Sequence, residues 1–222
     1  MTMAPVGFDL DMTLIDSRRA ILASFAGVAA DTGVAIDPAG VIRRLGIKLE
    51  AELAHWFPPG EITDAVRVYR AHYLRLAAPL TSPLPGAAEA LAAVRASGAR
   101  TVVITAKYEQ TARLSLEGVG LFADELFAEA HGPEKATILK TIGAAVYVGD
   151  TPPDMAAAVT AEAHAVGVTT GSFTAADLRA AGAADVLPSM TDFAPLYRKI
   201  ISCLIIRSLS EIASYRPADL RT

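Results

Sequence analysis

Four acidic side chains and one hydroxyl stand where the ends of apolar segments could gather them in one crevice. Asp9 and Asp11 lie two residues apart behind Pro5-Val6-Gly7-Phe8. Thr105 follows Arg100-Thr101-Val102-Val103-Ile104, and Asp150 follows Ala144-Ala145-Val146-Tyr147-Val148-Gly149, with Asp154 four residues further on. Four carboxylates in one crevice would repel one another at neutral pH, and a hard divalent cation relieves that repulsion. Mg2+ suits a few carboxylates completed by water and a substrate phosphate. One carboxylate can then attack phosphorus as a nucleophile, while a second passes protons to the leaving oxygen and from the attacking water.

The elements that must position these groups are legible as patterns. The apolar runs ending at Asp9, Thr105 and Asp150, with a fourth at Ala163-His164-Ala165-Val166-Gly167-Val168, read as short buried strands. Helical patterns lie between the later ones, opened by Pro85, Pro133 and Thr151-Pro152, with proline favoured at the first helical position. Buried strands alternating with helices indicate an α/β fold with a doubly wound parallel sheet, whose ligands bind beyond the carboxyl ends of the strands where strand order reverses. Residues 17–81 differ: helical periodicity recurs at Ile21-Leu22, Phe25 and Val28, at Leu45, Leu49 and Leu53, and from Ile62 to Leu76, with no clear strand. The expected organisation is therefore an α/β core of residues 1–16 and 82–198, with an all-helical insertion at 17–81. Thr81-Ser82-Pro83-Leu84-Pro85-Gly86 reads as a linker back to the core, and residues 199–222 as a helical C-terminal tail. Ile200 to Ile206 is apolar on every side, which a packed terminal helix or a dimer contact would cover.

Composition narrows the classes. Twenty Lys and Arg against 24 Asp and Glu give a net charge of -4, which argues against gripping nucleic acid or an anionic membrane by bulk charge. No apolar run approaches the roughly 18 residues of a spanning helix, and the N-terminus reaches Asp9 too soon for a signal peptide. The lone Cys203 leaves no internal disulfide and no cysteine-based zinc site, and reads as buried filler. The histidines lack ligand spacing, so no zinc site is expected. A cytoplasmic monomer or homodimer is the expected setting.

Phe8-Asp9-Leu10-Asp11-Met12-Thr13-Leu14-Ile15-Asp16-Ser17 resembles the first motif of the haloacid dehalogenase superfamily of Mg2+-dependent phosphohydrolases. Thr105 looks like its second motif, Lys135 in Gly132-Pro133-Glu134-Lys135 its third, and Gly149-Asp150-Thr151-Pro152-Pro153-Asp154 its fourth. The resemblance runs from about Val6 to Leu196 and implies roles residue by residue. Asp9 would be the nucleophile and a metal ligand, and Asp11 the general acid and then base, giving its backbone carbonyl to the metal. Asp150 and Asp154 would complete the metal site. Thr105 and Lys135 would bind the transferring phosphoryl oxygens, and Thr13 joins the substrate-binding set. An acid two places after the nucleophile indicates phosphoester chemistry, since the dehalogenases of the superfamily lack it. Met12 stands where the family usually has glycine; a backbone kept at negative φ would make that departure harmless.

The insertion resembles the cap of the phosphoglycolate-phosphatase-like branch, and Arg43-Arg44-Leu45-Gly46-Ile47-Lys48-Leu49 its substrate-contacting segment. Arg43, Arg44 and Lys48 are thus candidates to meet a carboxylate or second phosphate on the substrate, against the plain reading of a solvated helix face. Asp16 and Ser17 read as caps of the first inserted helix, and His55-Trp56-Phe57 as core of the insertion or an aromatic closing wall. Lys107 reads either as approaching the phosphate or as a surface residue. The function implied is Mg2+-dependent hydrolysis of a small phosphorylated metabolite, phosphoglycolate first. The rivals are a sugar phosphomutase of the same fold, a receiver-like signalling module that keeps its aspartyl-phosphate, and a binding protein without catalysis.

Overall fold

The computed structural model describes residues 3–214, and the side chains of residues 3–203. In chain order the first elements are β1 (Val6–Phe8), β2 (Ile15–Asp16), α1 (Arg18–Thr32), α2 (Pro38–Arg43), α3 (Leu49–Leu53), α4 (Ile62–Leu80) and β3 (Ser82–Pro83). There follow α5 (Ala87–Ala96), β4 (Thr101–Ile104), α6 (Glu109–Gly118), β5 (Glu125–Phe127), α7 (Pro133–Ile142) and β6 (Val146–Gly149). The chain ends through α8 (Pro152–Thr160), β7 (His164–Val168), α9 (Ala175–Ala180), β8 (Asp185–Leu187), a 3-10 turn at Met190–Asp192, and α10 (Phe193–Ser214).

Six strands form one sheet in the order β5-β4-β1-β6-β7-β8, every pair parallel. A strand buried on both faces must be apolar throughout, and β1, β4 and β6 are wholly buried. Alternation splits their side chains between two layers. Phe8, Val103 and Val148 pack with Leu91 and Val94 of α5 and with Phe193 and Tyr197 of α10. Val102, Ile104 and Tyr147 pack with Leu139 of α7 and Met155 of α8 on the other face. Phe8 stands in register with Val103 and Val148. Asp9, Thr105 and Asp150 therefore leave the sheet together at its carboxyl edge, beside the point where strand order reverses.

The inserted helices α1–α4 pack a core of their own around Phe25, Val28, Leu53, Phe57, Tyr69 and Tyr73. Ile15–Asp16 pairs antiparallel with Ser82–Pro83. The segment expected as a plain linker thus begins with half of a two-stranded stem that leads the chain into and out of the helices. The short edge strands β5 and β8 were not expected either; each has three half-buried residues and no continuous apolar run.

At the C-terminal end Ile200 is buried in the core, but Cys203 is exposed, correcting its reading as buried filler. The side chains of Leu204-Ile205-Ile206, and with them the dimer contact considered for that run, lie outside the described residues. No described helix is long and apolar enough to cross a membrane.

Gly86, the N-cap of α5, has φ +89°, and a Cβ there would collide with the backbone of Met190 and Thr191. Gly86→Ala is expected to destabilise the fold by at least about 2 kcal/mol. Urea unfolding measures this, and an unchanged midpoint would contradict the close approach of these two turns.

Candidate active site

Three carboxylates converge beyond the strand ends. Oxygens of Asp9, Asp150 and Asp154 lie within 4.8 Å of one another, and all three residues are buried. Lys135 enters from the first turn of α7, with Nζ 2.6 Å from Asp9 Oδ1 and 2.7 Å from Asp154 Oδ1. A cation in a first helical turn opposes the helix dipole, so the carboxylates must hold it there. Burial opposes the charge of Lys135, yet Asp154 and Asp9 outweigh it and keep the ammonium protonated well above its ordinary range. Burial pushes Asp9 up to about 7, reinforced by the charges of Asp154 and Asp11 and opposed by Lys135. Burial and the neighbouring Asp9 and Asp154 also raise Asp150, whose Oδ1 accepts a bond from Thr13 Oγ1 at 3.2 Å.

Local sequence builds this arrangement. Thr151 and Asp154 form a capping box at the start of α8, with Thr151 Oγ1 donating to Asp154 Oδ2 at 2.5 Å. Tyr147, facing the same way from β6, sets its hydroxyl 3.2 Å from Asp154 Oδ1 and 3.1 Å from the Ile104 carbonyl. Asp154 is thereby fixed by Thr151 and Tyr147 and fixes Lys135 in turn. Gly149 lets Asp154 lie against the backbone, and Gly171 leaves room for the Asp150 carboxylate. Sequence reasoning missed Gly171 and Tyr147, since only the folded chain brings them to the site.

Asp11 stands apart from the cluster. Its carboxylate accepts bonds from Lys107 Nζ at 2.8 and 3.0 Å and from Ser17 Oγ. Lys107 is therefore not a surface residue: its side chain is 8% exposed, and its ammonium lies 4.4 Å from the Tyr73 ring centroid. Burial opposes its charge, but Asp11 more than compensates and raises it. Ser17 occupies the N-cap of α1 without making a capping bond, because its hydroxyl goes to Asp11. Asp16 instead accepts from the backbone N–H of Arg18 at 3.1 Å. Thr105 is buried, and its Oγ1 accepts from the Lys107 amide at 3.2 Å.

Met12 does not keep negative φ: it sits at +61° and is 1% exposed. The tight turn after Leu10 requires the left-handed conformation, with Met12 N–H bonded to the Ile15 carbonyl at 2.7 Å. That geometry costs a methionine about 1–2 kcal/mol, offset by burial of its side chain.

A cavity of about 470 Å³ lies between the inserted helices and the sheet edge. Asp11, Gly46 and Ala106 line both this cavity and the narrow crevice holding Asp9, Thr105, Lys135 and Asp154. Arg44 lines the cavity but is held bidentate by Glu52, both bonds at 2.7 Å. Lys48 lines it and reaches Glu134 of α7 at 2.8 Å. Arg43 points elsewhere, to Asp37 at 3.4 Å on the outside of the insert. Two lining residues not singled out in the sequence, Arg70 and Tyr108, stack with 4.0 Å between guanidinium carbon and ring centroid. Phe57 belongs to the core of the insert, and Trp56 packs against it, donating to Glu52 at 3.2 Å.

Comparison with known proteins adds independent findings. The profile of the haloacid dehalogenase-like hydrolases matches residues 6–168. The chain is 31% identical over 194 residues to a probable phosphatase, IndB, of Dickeya dadantii, covering 78% of this chain and 84% of that protein. It is 28% identical over 170 residues to a phosphoglycolate phosphatase of Aquifex aeolicus, covering 70% and 79%. A haloacid dehalogenase-like hydrolase from Streptococcus pneumoniae shares the fold with a TM-score of 0.76 at 23% identity, over 88% of this chain and 98% of that one.

The raised Asp9 gives a pH signature. Its carboxyl moves from 3.8 in the unfolded chain to about 7 in the fold, so the folded state binds more protons between those values. That contribution to stability is present at low pH and is lost as pH rises from about 4 to about 7. In EDTA, Asp9→Asn should gain stability relative to the native protein across this window, as read by urea midpoints at pH 5 and 7.5. A difference that stays constant with pH would contradict the assignment.

Proposed function

We propose that this chain, which belongs to the haloacid dehalogenase-like hydrolases and is a phosphatase, hydrolyses a small phosphomonoester through an aspartyl-phosphate on Asp9. The observation that carries the reading is the pairing of Asp9, buried and bonded to Lys135, with Asp11, kept apart at the mouth of the cavity. Two carboxylates in such different surroundings suit two roles. Asp9 attacks phosphorus, and the bond to the leaving oxygen breaks as Asp11 gives that oxygen its proton. Asp11 then takes a proton from water, whose oxygen attacks the same phosphorus and frees Asp9 and inorganic phosphate. Lys135 and Thr105 hold the phosphoryl oxygens, and Lys135 offsets the charge of Asp9 during the approach.

The donor set fits a hard divalent cation, being three clustered, desolvated carboxylates with one ammonium against them. Asp9, Asp150 and the Asp11 backbone carbonyl would hold Mg2+, with Asp154 beside it. Bound there, Mg2+ supplies charge neutralisation for the phosphoryl group and its attacking carboxylate. Asp154 has its oxygens engaged by Lys135, Tyr147 and Thr151, so its main task in this scheme is to aim Lys135.

The insert acts as a cap that excludes water and meets the leaving group. Contacts to the core support this: the Lys48–Glu134 pair, a bond from Ser172 Oγ to the Ile42 carbonyl at 2.9 Å, and Gly46 against Thr151. Phosphoglycolate is the substrate that the resemblance and the name of one relative suggest, with sugar phosphates, nucleotides and pyrophosphate as the other classes.

Asp9→Asn and Asp11→Asn should each lower phosphate release by at least about 1,000-fold while leaving the circular dichroism spectrum unchanged. EDTA should abolish release and added Mg2+ restore it. Near-native turnover in Asp9→Asn, or full activity in EDTA, would refute this scheme.

A further inference from the structure

Lys107 is a buried cation with one carboxylate to itself. It lines the cavity beside the inserted helices but not the crevice around Asp9, Thr105 and Lys135. Its backbone is pinned: the amide donates to Thr105 Oγ1 at 3.2 Å, and the carbonyl accepts from the Glu129 N–H at 3.0 Å. Beyond that anchored backbone its ammonium meets the ring of Tyr73 and the carboxylate of Asp11. Among the described residues Asp11 is the only hydrogen-bond acceptor of Lys107 Nζ. Tyr73 is buried in turn, with its hydroxyl 3.4 Å from Ser115 Oγ. A buried ammonium with a single acceptor holds it firmly, because losing it would leave the charge unpaired.

The two oxygens of Asp11 are not held alike. A carboxylate offers about four lone-pair sites, roughly two on each oxygen. Oδ1 accepts both from Lys107 Nζ, at 2.8 Å, and from Ser17 Oγ, which fills its sites. Among the described residues Oδ2 accepts only from Lys107 Nζ, at the longer 3.0 Å, and keeps a site free. Asp11 is within reach of a ligand, since it lines both the cavity and the crevice.

We propose that Lys107 is a positioning residue for the proton transfers at Asp11: with Ser17 it anchors Oδ1, and Oδ2 is the oxygen that carries the proton. The proposal rests on the phosphatase reading above and adds the atom that works and the residue that aims it. As the bond from phosphorus to the leaving oxygen breaks, the proton on Oδ2 passes to that oxygen. In the second half Oδ2 takes a proton from the water whose oxygen bonds to phosphorus, and the bond from phosphorus to Asp9 breaks. Oδ1 keeps its partners throughout, so the carboxyl group need not rotate between the two steps.

The full chain with Mg2+ is assayed on p-nitrophenyl phosphate, phenyl phosphate, glucose 6-phosphate and phosphoglycolate. The first releases a weakly basic phenolate that needs little help from an acid, whereas the leaving oxygens of the other three need a proton. Lys107→Met should lower kcat/KM by about 100-fold on whichever of those three the native protein turns over, and by no more than about threefold on p-nitrophenyl phosphate. In an Asp11→Asn background, adding Lys107→Met should change kcat/KM by less than about threefold, because the group it aims is already gone. Equal losses on all four esters would overturn the proposal and leave Lys107 a structural role. A further loss of about tenfold or more in the Asp11→Asn background would place Lys107 on the substrate itself, and would overturn it too. Release from none of the four by the native protein would overturn the phosphatase reading, and this proposal with it. The double variant leaves neither charge of the pair behind, so that comparison stands even where Lys107→Met alone fails to fold.

Discussion

Three buried carboxylates share one buried ammonium, and much of the molecule can be understood from that imbalance. Lys135 bonds to Asp9 and Asp154, whereas Asp150 is left with the hydroxyl of Thr13. Folding gathers these charges only because the packing around them is strong. The inner strands are sealed on both faces, α7 and α8 are anchored by Leu139 and Met155, and the capping box pins Asp154. The price is visible in Asp9 and Asp150, both held above the usual carboxylate range. A site that is over-charged without a ligand is prepared for a cation and for a reaction at phosphorus.

Asp11 escapes that cluster by two residues. The turn after β1 carries it away from the strand axis, and Met12 adopts a left-handed backbone to make the turn. Lys107 and Ser17 then hold the Asp11 carboxylate at the edge of the cavity. Ser17 begins α1, while Lys107 lies under Tyr73 of α4. Asp11 is thus tied to the first and the last of the inserted helices, and under the proposed scheme the phosphate and the leaving group would occupy adjoining compartments.

The fold was legible where burial dictates composition. β1, β4, β6 and β7 are apolar runs because both faces are covered, and Pro133 and Pro152 mark helix starts because φ is already set there. β5 and β8 escaped because an edge strand needs apolar residues on fewer sides, and Glu125 and Asp185 can open them. The stem formed by Ile15–Asp16 and Ser82–Pro83 is too short to carry a pattern. The acids and Thr105 were legible by type and by their place after apolar runs, and Lys135 through its resemblance to a known motif. Lys107, Tyr147 and Arg70 were not, because Asp11, the Ile104 carbonyl and Tyr108 lie far from them along the chain, nor was Gly171, whose importance lies in the space it leaves. The same holds for Ser17, whose type and position suit a cap until Asp11 is seen within reach.

The central claim is that Asp9 becomes covalently phosphorylated, and trapping that species tests it most directly. The protein is mixed with Mg2+ and a turned-over phosphoester, quenched in acid within one turnover, digested, and its peptides are weighed. The account predicts one phosphoryl group on the peptide bearing Asp9, appearing before free phosphate and absent from Asp9→Asn. Turnover with phosphate passing straight to water, or with the phosphoryl group on another residue, would contradict it.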